Sequence, residues 1–122
     1  MKTMNSIKEI FRIGAGPSSS HTMGPQRAAK IFLERNPRSA SFKVSLFGSL
    51  AATGKGHLTD RTILEVLEPH APVQIEWLPK IFLPFHPNAM TFCAINSENE
   101  VLDTWTVYSI GGGALSEENR PP

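Results

Sequence analysis

Apolar and polar residues alternate strictly over residues 40–46, and this period of two predicts a half-buried β-strand. The same alternation over 73–77 predicts a second strand. Two further strands are predicted at 90–95 and 101–110, and the polar residues 96–99 between them are typical of a hairpin loop.

Apolar residues spaced three and four apart predict three helices. The first covers residues 6–12, the second begins near Pro25 and ends at Asn36, and the third begins at about residue 59 and is stopped by Pro69. Proline suits a first helical turn because the first N–H groups of a helix have no partner within it. Helices and strands alternate early and the hairpin comes late. We therefore expect an α+β fold, with a small, mixed, mainly antiparallel sheet of about four strands covered by helices.

Length and charge limit the possible functions. The 122 residues suffice for one core, so we interpret 1–122 as a single domain. Twelve Lys and Arg against eleven Asp and Glu give a net charge of +1, which argues against nucleic acid or an anionic membrane as a partner. No apolar run reaches the roughly 20 residues of a membrane span, and no secretory leader is apparent. We expect a cytoplasmic protein.

The cysteine count excludes several kinds of site. Cys93 is the single cysteine, so the chain can form neither an intrachain disulfide nor a metal site built from several of its own cysteines. No two histidines stand three to five residues apart, as metal ligands often do. We expect Cys93, in the middle of a strand, to be a small buried residue, and we expect no metal ligands in this chain.

The segment 14–25 is rich in hydroxyl groups and precedes the predicted second helix. Free N–H groups at a helix start, together with hydroxyls, suit a carboxylate or a phosphate. The alternative is an exposed turn whose serines only cap the helix. The candidate binding residues here are Ser18, Ser19, Ser20, His21 and Thr22.

The segment 48–60 superficially resembles a nucleotide-binding P-loop. A P-loop needs four residues between its first glycine and Gly-Lys, and then Ser or Thr, whereas here five residues intervene and Gly56 follows Lys55. We reject a nucleotide site. The segment is then either a loop that brings Lys55 and His57 to a helix start or a mobile surface crossover.

Two later segments carry further polar candidates. A proline-fixed turn delivers His86 and Asn88 to the start of a strand, although a locally bonded asparagine explains the pattern as well. The glycine run 111–113 after the last strand is either a site of close approach or a flexible exit.

Taken together, these segments resemble the β domain, or β subunit, of the bacterial iron–sulfur-dependent L-serine dehydratases. The resemblance rests on four motifs that occur in the family's order and at family-like spacing over nearly the whole chain. They are GPSSSHTMGP at 16–25, FGSLAATGKGHLTD at 47–60, HPNAMTF at 86–92 and YSIGGG at 108–113. The resemblance implies a fold of the allosteric substrate-binding type.

The resemblance also implies part of an L-serine ammonia-lyase, which converts L-serine to pyruvate and ammonia. In that family a four-iron four-sulfur cluster acts as the Lewis acid, and its ligands belong to an α catalytic domain whose cysteines are absent here. The implied partners are this cluster-bearing α domain or subunit and L-serine, with a homodimer possible. The isolated chain is then expected to be inactive.

Position by position, the resemblance makes His57 the general base and His21 its rival. The implied substrate contacts are Ser18, Ser19, Ser20, Thr22, Lys55, Asn88 and His86. Two other functions stay open. One is a non-catalytic regulatory module that binds serine or another carboxylate. The other is an assembly domain that presents Trp77, Phe82 and Phe85 to a partner.

Overall fold

The computed structural model describes residues 17–54 and 59–117, except the side chains of 17–20, 53 and 54. Within these ranges the chain forms three helices and one five-stranded sheet, so the predicted α+β class is confirmed, with one strand more than expected. The predicted helix at 6–12 lies outside the described residues. The elements are α1 (Pro17–Arg35), β1 (Ser41–Phe47), α2 (Gly48–Gly54), α3 (Thr59–Leu67), β2 (Val73–Leu78), β3 (Ala89–Ile95), β4 (Val101–Gly111) and β5 (Ala114–Ser116).

The sheet has the strand order β2-β1-β3-β4-β5. Strands β1 and β2 are parallel, and every other neighbouring pair is antiparallel, as predicted for a mixed, mainly antiparallel sheet. The β3–β4 hairpin turns where it was predicted. Its loop is closed by a hydrogen bond from the Asn96 N–H to the Glu100 carbonyl, 2.9 Å long, and Asn99 adopts a φ of 67°.

One face of the sheet packs against the helices and forms the core. Alternate residues of β1, Phe42, Val44 and Leu46, are buried on this face, as the period of two requires. Phe32 of α1 lies at the centre, with its ring centroid 5.4 Å from that of Phe92 and 6.2 Å from that of Phe42. Burial of each such side chain contributes about 1.5–3 kcal/mol, so this contact fixes α1 on the sheet.

The opposite face carries polar cross-strand pairs. The Thr91 and Thr106 hydroxyls are 2.8 Å apart, and the Cys93 Sγ lies 3.6 Å from the Thr104 hydroxyl. The expectation that Cys93 is buried is therefore wrong: it is half-buried, because its position in β3 alternates with the core residues Phe92 and Ala94.

Helix α1 begins at Pro17 instead of near Pro25, so the predicted start is wrong. Pro25 lies inside the helix and has no N–H to donate to the carbonyl of His21, four residues earlier. The hydroxyl of Thr59, the first residue of α3, donates to that carbonyl instead, at 2.6 Å. The fully buried Thr59 therefore replaces the missing helical donor and ties the start of α3 to α1.

We expect Thr59→Val to lower the free energy of unfolding by about 1–3 kcal/mol, because the His21 carbonyl loses its donor. In a Pro25→Ala background the helix supplies its own N–H, so the same substitution should cost clearly less. Urea denaturation of the four proteins in this cycle measures the difference. An equal cost in both backgrounds would contradict the role assigned to Thr59.

The segment predicted as a glycine-rich loop is helical over Gly48–Gly54, so the loop prediction is wrong there. Gly48 has a φ of +51°, which lets the chain turn directly from β1 into α2. A Cβ at this position would lie 2.7 Å from the Phe82 ring and 2.9 Å from the Pro87 carbonyl oxygen. Leu50 and Ala51 of α2 are buried in the core, and this burial holds a short helix that glycine content alone argues against.

Candidate functional site

Four polar segments meet at one end of the sheet because of its topology. The parallel strands β1 and β2 both finish there, and the antiparallel pairing makes β3 begin and β4 finish at the same end. Helices α1 and α2 also begin near this end, as the contacts below show, and the bond from the Thr59 hydroxyl to the His21 carbonyl places the start of α3 beside them. We call the meeting point of these segments the junction site, defined by residues 21–24, 48–49, 86–88 and 108–109.

Hydrogen bonds join the first three segments. The His21 Nε2 of α1 lies 3.3 Å from the backbone carbonyl oxygen of Ser49 in α2. The N–H of Ser49 in turn donates to the Pro87 carbonyl at 3.1 Å. The starts of α1 and α2 and the turn before β3 are thereby held in fixed relative positions.

Two further contacts close the ring. The Ser109 N–H donates to the Asn88 carbonyl at 2.9 Å, and the Asn88 Nδ2 donates to the Ser109 carbonyl at 3.3 Å. Ser109 also packs directly against Gly24 of α1, where an added Cβ would lie 2.0 Å from the Ser109 Oγ. Each segment therefore contacts the next, and the contact between Ser109 of β4 and Gly24 of α1 closes the ring.

Asn88 holds an acceptor that is buried and has no hydrogen-bond partner within 17–54 and 59–117. This atom is the side-chain Oδ1, and the Nδ2 of the same amide already bonds Ser109. Leaving a buried polar group unpaired costs about 1–3 kcal/mol, so each such group needs an explanation. A ligand that donates an N–H or an O–H to the Asn88 Oδ1 would remove this cost.

Hydrogen bonds indicate which tautomer each of the two histidines of the site adopts. A backbone carbonyl can only accept, so the contact to Ser49 is a hydrogen bond when the His21 Nε2 carries a proton. The Nδ1 of His86 accepts the N–H of Asn88 at 3.0 Å, so its proton lies on Nε2 in the neutral form. His86 thus stiffens the turn that presents Asn88.

The structure brings together four of the predicted site residues and leaves the others outside its description. Residues 17–25 are helical, so the hydroxyls of the first segment belong to the first turns of α1, whereas a loop before the helix was predicted. The side chains of Ser18, Ser19 and Ser20, and the whole of Lys55 and His57, lie outside the described part of the chain. The four described are His21, Thr22, His86 and Asn88.

Sequence reasoning missed Ser109 and Gly24. Ser109 is fully buried, although a serine near the end of a strand is usually read as a solvent-facing residue. The sequence feature that could have indicated this contact is a small residue on each element, glycine in the helix and serine in the strand. Two small residues allow a helix and a strand to approach closely.

Aromatic side chains border the junction site. The Phe85 ring lies 4.8 Å from that of Tyr108, and Phe82 covers Gly48. Both phenylalanines are exposed, by 47% and 58% respectively, as the assembly hypothesis requires. Trp77, the third residue of that hypothesis, instead packs half-buried against the core.

The residues present do not fit an iron–sulfur cluster. Such clusters are held by several thiolates, and the chain has one cysteine, whose thiol lies on the polar face of the sheet beside Thr104. Among the residues that the structure describes, no group of three or more His, Cys, Asp or Glu is placed to hold a metal ion.

The fold is thus an α+β domain with helices on one face of a mixed sheet and a polar junction at one end. A family profile described as serine dehydratase beta chain matches residues 6–78 and 73–120. The chain therefore belongs to the serine dehydratase beta chain family, as the four motifs indicated.

Curated relatives agree with this assignment. The L-serine dehydratase of Mycobacterium tuberculosis is 38% identical, covering 93% of this chain and 33% of its own length. That of Streptomyces coelicolor is 34% identical, over 93% of this chain and 34% of its own. L-serine dehydratase TdcG of Escherichia coli is 35% identical, over 96% and 34%. The chain spans about a third of the length of the curated relatives it matches.

The relatives also carry residues that this chain lacks within the matched region. The alignment with the Mycobacterium tuberculosis protein covers 152 positions, whereas this chain has 122 residues, so at least 30 positions have no counterpart here. The two parts of the profile match overlap at 73–78, which is β2. The family pattern is therefore interrupted at this edge of the sheet.

Proposed function

We propose that this chain is the β part of an L-serine dehydratase and supplies substrate-binding and acid–base groups for the conversion of L-serine to pyruvate and ammonia. The observation that carries the proposal is the closed ring of contacts at the junction site. Segments of four motifs that are separated along the chain meet there, together with a buried acceptor, the Asn88 Oδ1, that has no hydrogen-bond partner among the described residues.

The junction site offers complementary groups to both ends of an amino acid. The start of α1 presents N–H groups and the positive end of the helix dipole, which suit the substrate carboxylate. The sequence adds the hydroxyl-bearing residues 18–20 and 22 as candidate contacts. Lys55 is a second carboxylate partner. The Asn88 Oδ1 accepts a hydrogen bond from the substrate ammonium group, and this bond satisfies the buried oxygen.

One proton-transfer role and one positioning role are assigned to histidines. Dehydration removes a proton from Cα and hydroxide from Cβ, and the resulting enamine tautomerises and is hydrolysed to pyruvate and ammonia. His57 is the general base for the Cα proton. His21 is a positioning residue, because its Nε2 faces the Ser49 carbonyl and is engaged as a donor.

The iron–sulfur cluster and the rest of the enzyme belong to a partner in this proposal. The cluster would be held by the cysteines of an α domain or subunit and would supply Lewis-acid chemistry for the leaving hydroxyl. None of the helices in 17–54 and 59–117 combines the length and apolar character of a membrane span. We place the assembled enzyme in the cytoplasm, whose reducing conditions suit a single free thiol.

The proposal is tested by mixing the chain anaerobically with its cluster-bearing α partner and following pyruvate formation from L-serine. We expect turnover by the mixture and none by the chain alone. Asn88→Leu should raise KM for serine about 10-fold to 100-fold, since hydrogen bonds to charged groups contribute about 1.5–3 kcal/mol. The matched control is Asn96→Ala, an asparagine in the distant β3–β4 loop, which should leave the kinetics unchanged.

Two other results of these experiments would indicate a regulatory or an assembly function for the chain. If the chain binds L-serine in calorimetry while Asn88→Leu and His57→Gln leave the turnover of the mixture unchanged, the chain is a regulatory module. If it neither binds serine nor affects turnover through the junction site, the proposal is wrong and the chain contributes to assembly alone.

A further inference from the structure

A groove separate from the junction site runs between α1 and strands β4 and β5. Its volume is about 590 Å³, within the range of about 300–1,000 Å³ that is usual for small-molecule sites. It shares no residue with the junction site. Its lining consists of one helix face, the two strands and the residue that follows them: Arg27, Ile31, Arg35, Trp105, Val107, Ala114, Leu115, Ser116 and Glu117.

The helix wall of the groove has an arginine at each end. Arg27, Ile31 and Arg35 follow one another at intervals of four, so they lie on one face of α1 and span about 12 Å. The charge of Arg35 is already compensated, because its guanidinium lies 2.9 Å from the Asp103 carboxylate. The guanidinium is also centred 5.0 Å from the Trp105 ring.

Arg27 is the cation that can bind a ligand. Within the described ranges its hydrogen bond goes to a neutral group, the Gly113 carbonyl, at 3.1 Å, and its side chain is exposed. A guanidinium has five N–H donors in a planar fork, so one bond to a carbonyl leaves donors for a carboxylate.

The floor of the groove is apolar. Trp105, Val107 and Leu115 line it, and the one polar atom of the indole is satisfied, since the Trp105 Nε1–H donates to Glu117 at 2.5 Å. The Glu117 carboxylate at the rim disfavours a ligand with several negative charges. A single negative charge on an apolar body matches Arg27, which has no carboxylate partner among the described residues, beside an apolar floor.

We propose that this groove binds a small organic monocarboxylate with an apolar body, its carboxylate on Arg27 and its body on Trp105 and Leu115. The site is additional to the junction site and does not depend on the reaction proposed there.

The test is an NMR titration of the 122-residue chain with three probes: phenylacetate, 3-indolepropionate and hexanoate. The chain has two tryptophans, so the indole N–H signal of Trp105 reports the groove and that of Trp77 serves as the internal reference. We expect a saturable shift of the Trp105 signal with at least one probe, without a matching shift of Trp77. Phenylacetamide, which is neutral, and acetate, which lacks the apolar body, should bind at least about tenfold more weakly than that probe.

Two variants separate specific binding from general adsorption. Arg27→Gln should weaken binding about tenfold, as expected for the loss of a charge-assisted hydrogen bond. Lys30→Gln is the matched control, because Lys30 is an exposed cation of the same helix that does not line the groove. Absence of a saturable Trp105 shift with all three probes overturns the proposal. Equal binding of the neutral amide, or equal losses in the two variants, overturns it as well.

Discussion

Replacing His57 with glutamine is expected to lower serine turnover by the reconstituted dehydratase about 100-fold to 10,000-fold, whereas His21→Gln should lower it less than about tenfold. The difference follows from the roles proposed for the two rings. A general base must accept the Cα proton, and an amide cannot replace an imidazole in this step. A positioning donor needs only an N–H, and the glutamine amide supplies one close to where the His21 Nε2 meets the Ser49 carbonyl.

Three readouts make this comparison decisive. His21→Ala should be clearly worse than His21→Gln if donation to Ser49 is what matters. Serine deuterated at Cα should show a larger kinetic isotope effect in His57→Gln, because proton removal becomes slower. His70→Gln is the control, since His70 is an exposed histidine after the end of α3. If His21→Gln and His21→Ala were equally inactive while His57→Gln remained active, the two assignments would be reversed.

Gly24→Ala is expected to lower the free energy of unfolding by about 1–3 kcal/mol and to abolish serine binding at the junction site. The new Cβ would lie 2.0 Å from the Ser109 Oγ and 2.7 Å from its Cβ, which no rotamer change can relieve. Helix α1 must therefore move away from β4. Because His21 belongs to the same helix, its contact with Ser49 is lost together with the packing.

Adding Ser109→Gly to Gly24→Ala should restore much of the stability and of the serine binding that Gly24→Ala removes. Ser109→Gly deletes both clashing atoms and leaves the Ser109 Cα at 3.5 Å from the new Cβ, an ordinary contact. Ser109→Gly alone costs about 0.5–1 kcal/mol in backbone entropy, and its backbone bonds with Asn88 are retained. Chemical denaturation and serine calorimetry on the four proteins measure the coupling. Additive losses in the double variant would show that Gly24 and Ser109 do not act through this contact.

The local pattern of apolar and polar residues was sufficient to predict the elements in which that pattern follows burial. Strand β1 and most of β3 alternate between the core and the polar face, and α3 has a clear apolar stripe. The sequence predicted these elements, together with β2 and β4, within a few residues. The start of α1 was missed because Pro25 is a typical first-turn residue. The hydroxyl that makes an internal proline tolerable, Thr59, stands on another helix, and no local pattern reveals such a contact.

The same distinction applies to the candidate site. The hydroxyls, histidines and amide were recognisable as chemistry-bearing residues from their types and motifs, and the topology that joins them was not. The bonds between Ser49 and Pro87 and between Asn88 and Ser109 depend on which strand ends share one end of the sheet. Strand β5 was missed for a related reason, since its three residues are defined by pairing with β4 beyond a glycine turn.

The closed ring of contacts at the junction site has a consequence for folding. Its members extend from residue 21 to residue 109, and its bonds to Ser109 require β4 to be paired with β3. The junction site is therefore complete only in the fully folded chain, and the unfolded ensemble has no equivalent of it. A ligand of the junction site then stabilises the whole domain by mass action, by about 2.7 kcal/mol at a hundredfold excess over Kd. The thermal midpoint of unfolding thus measures ligand binding at this site before any partner is added.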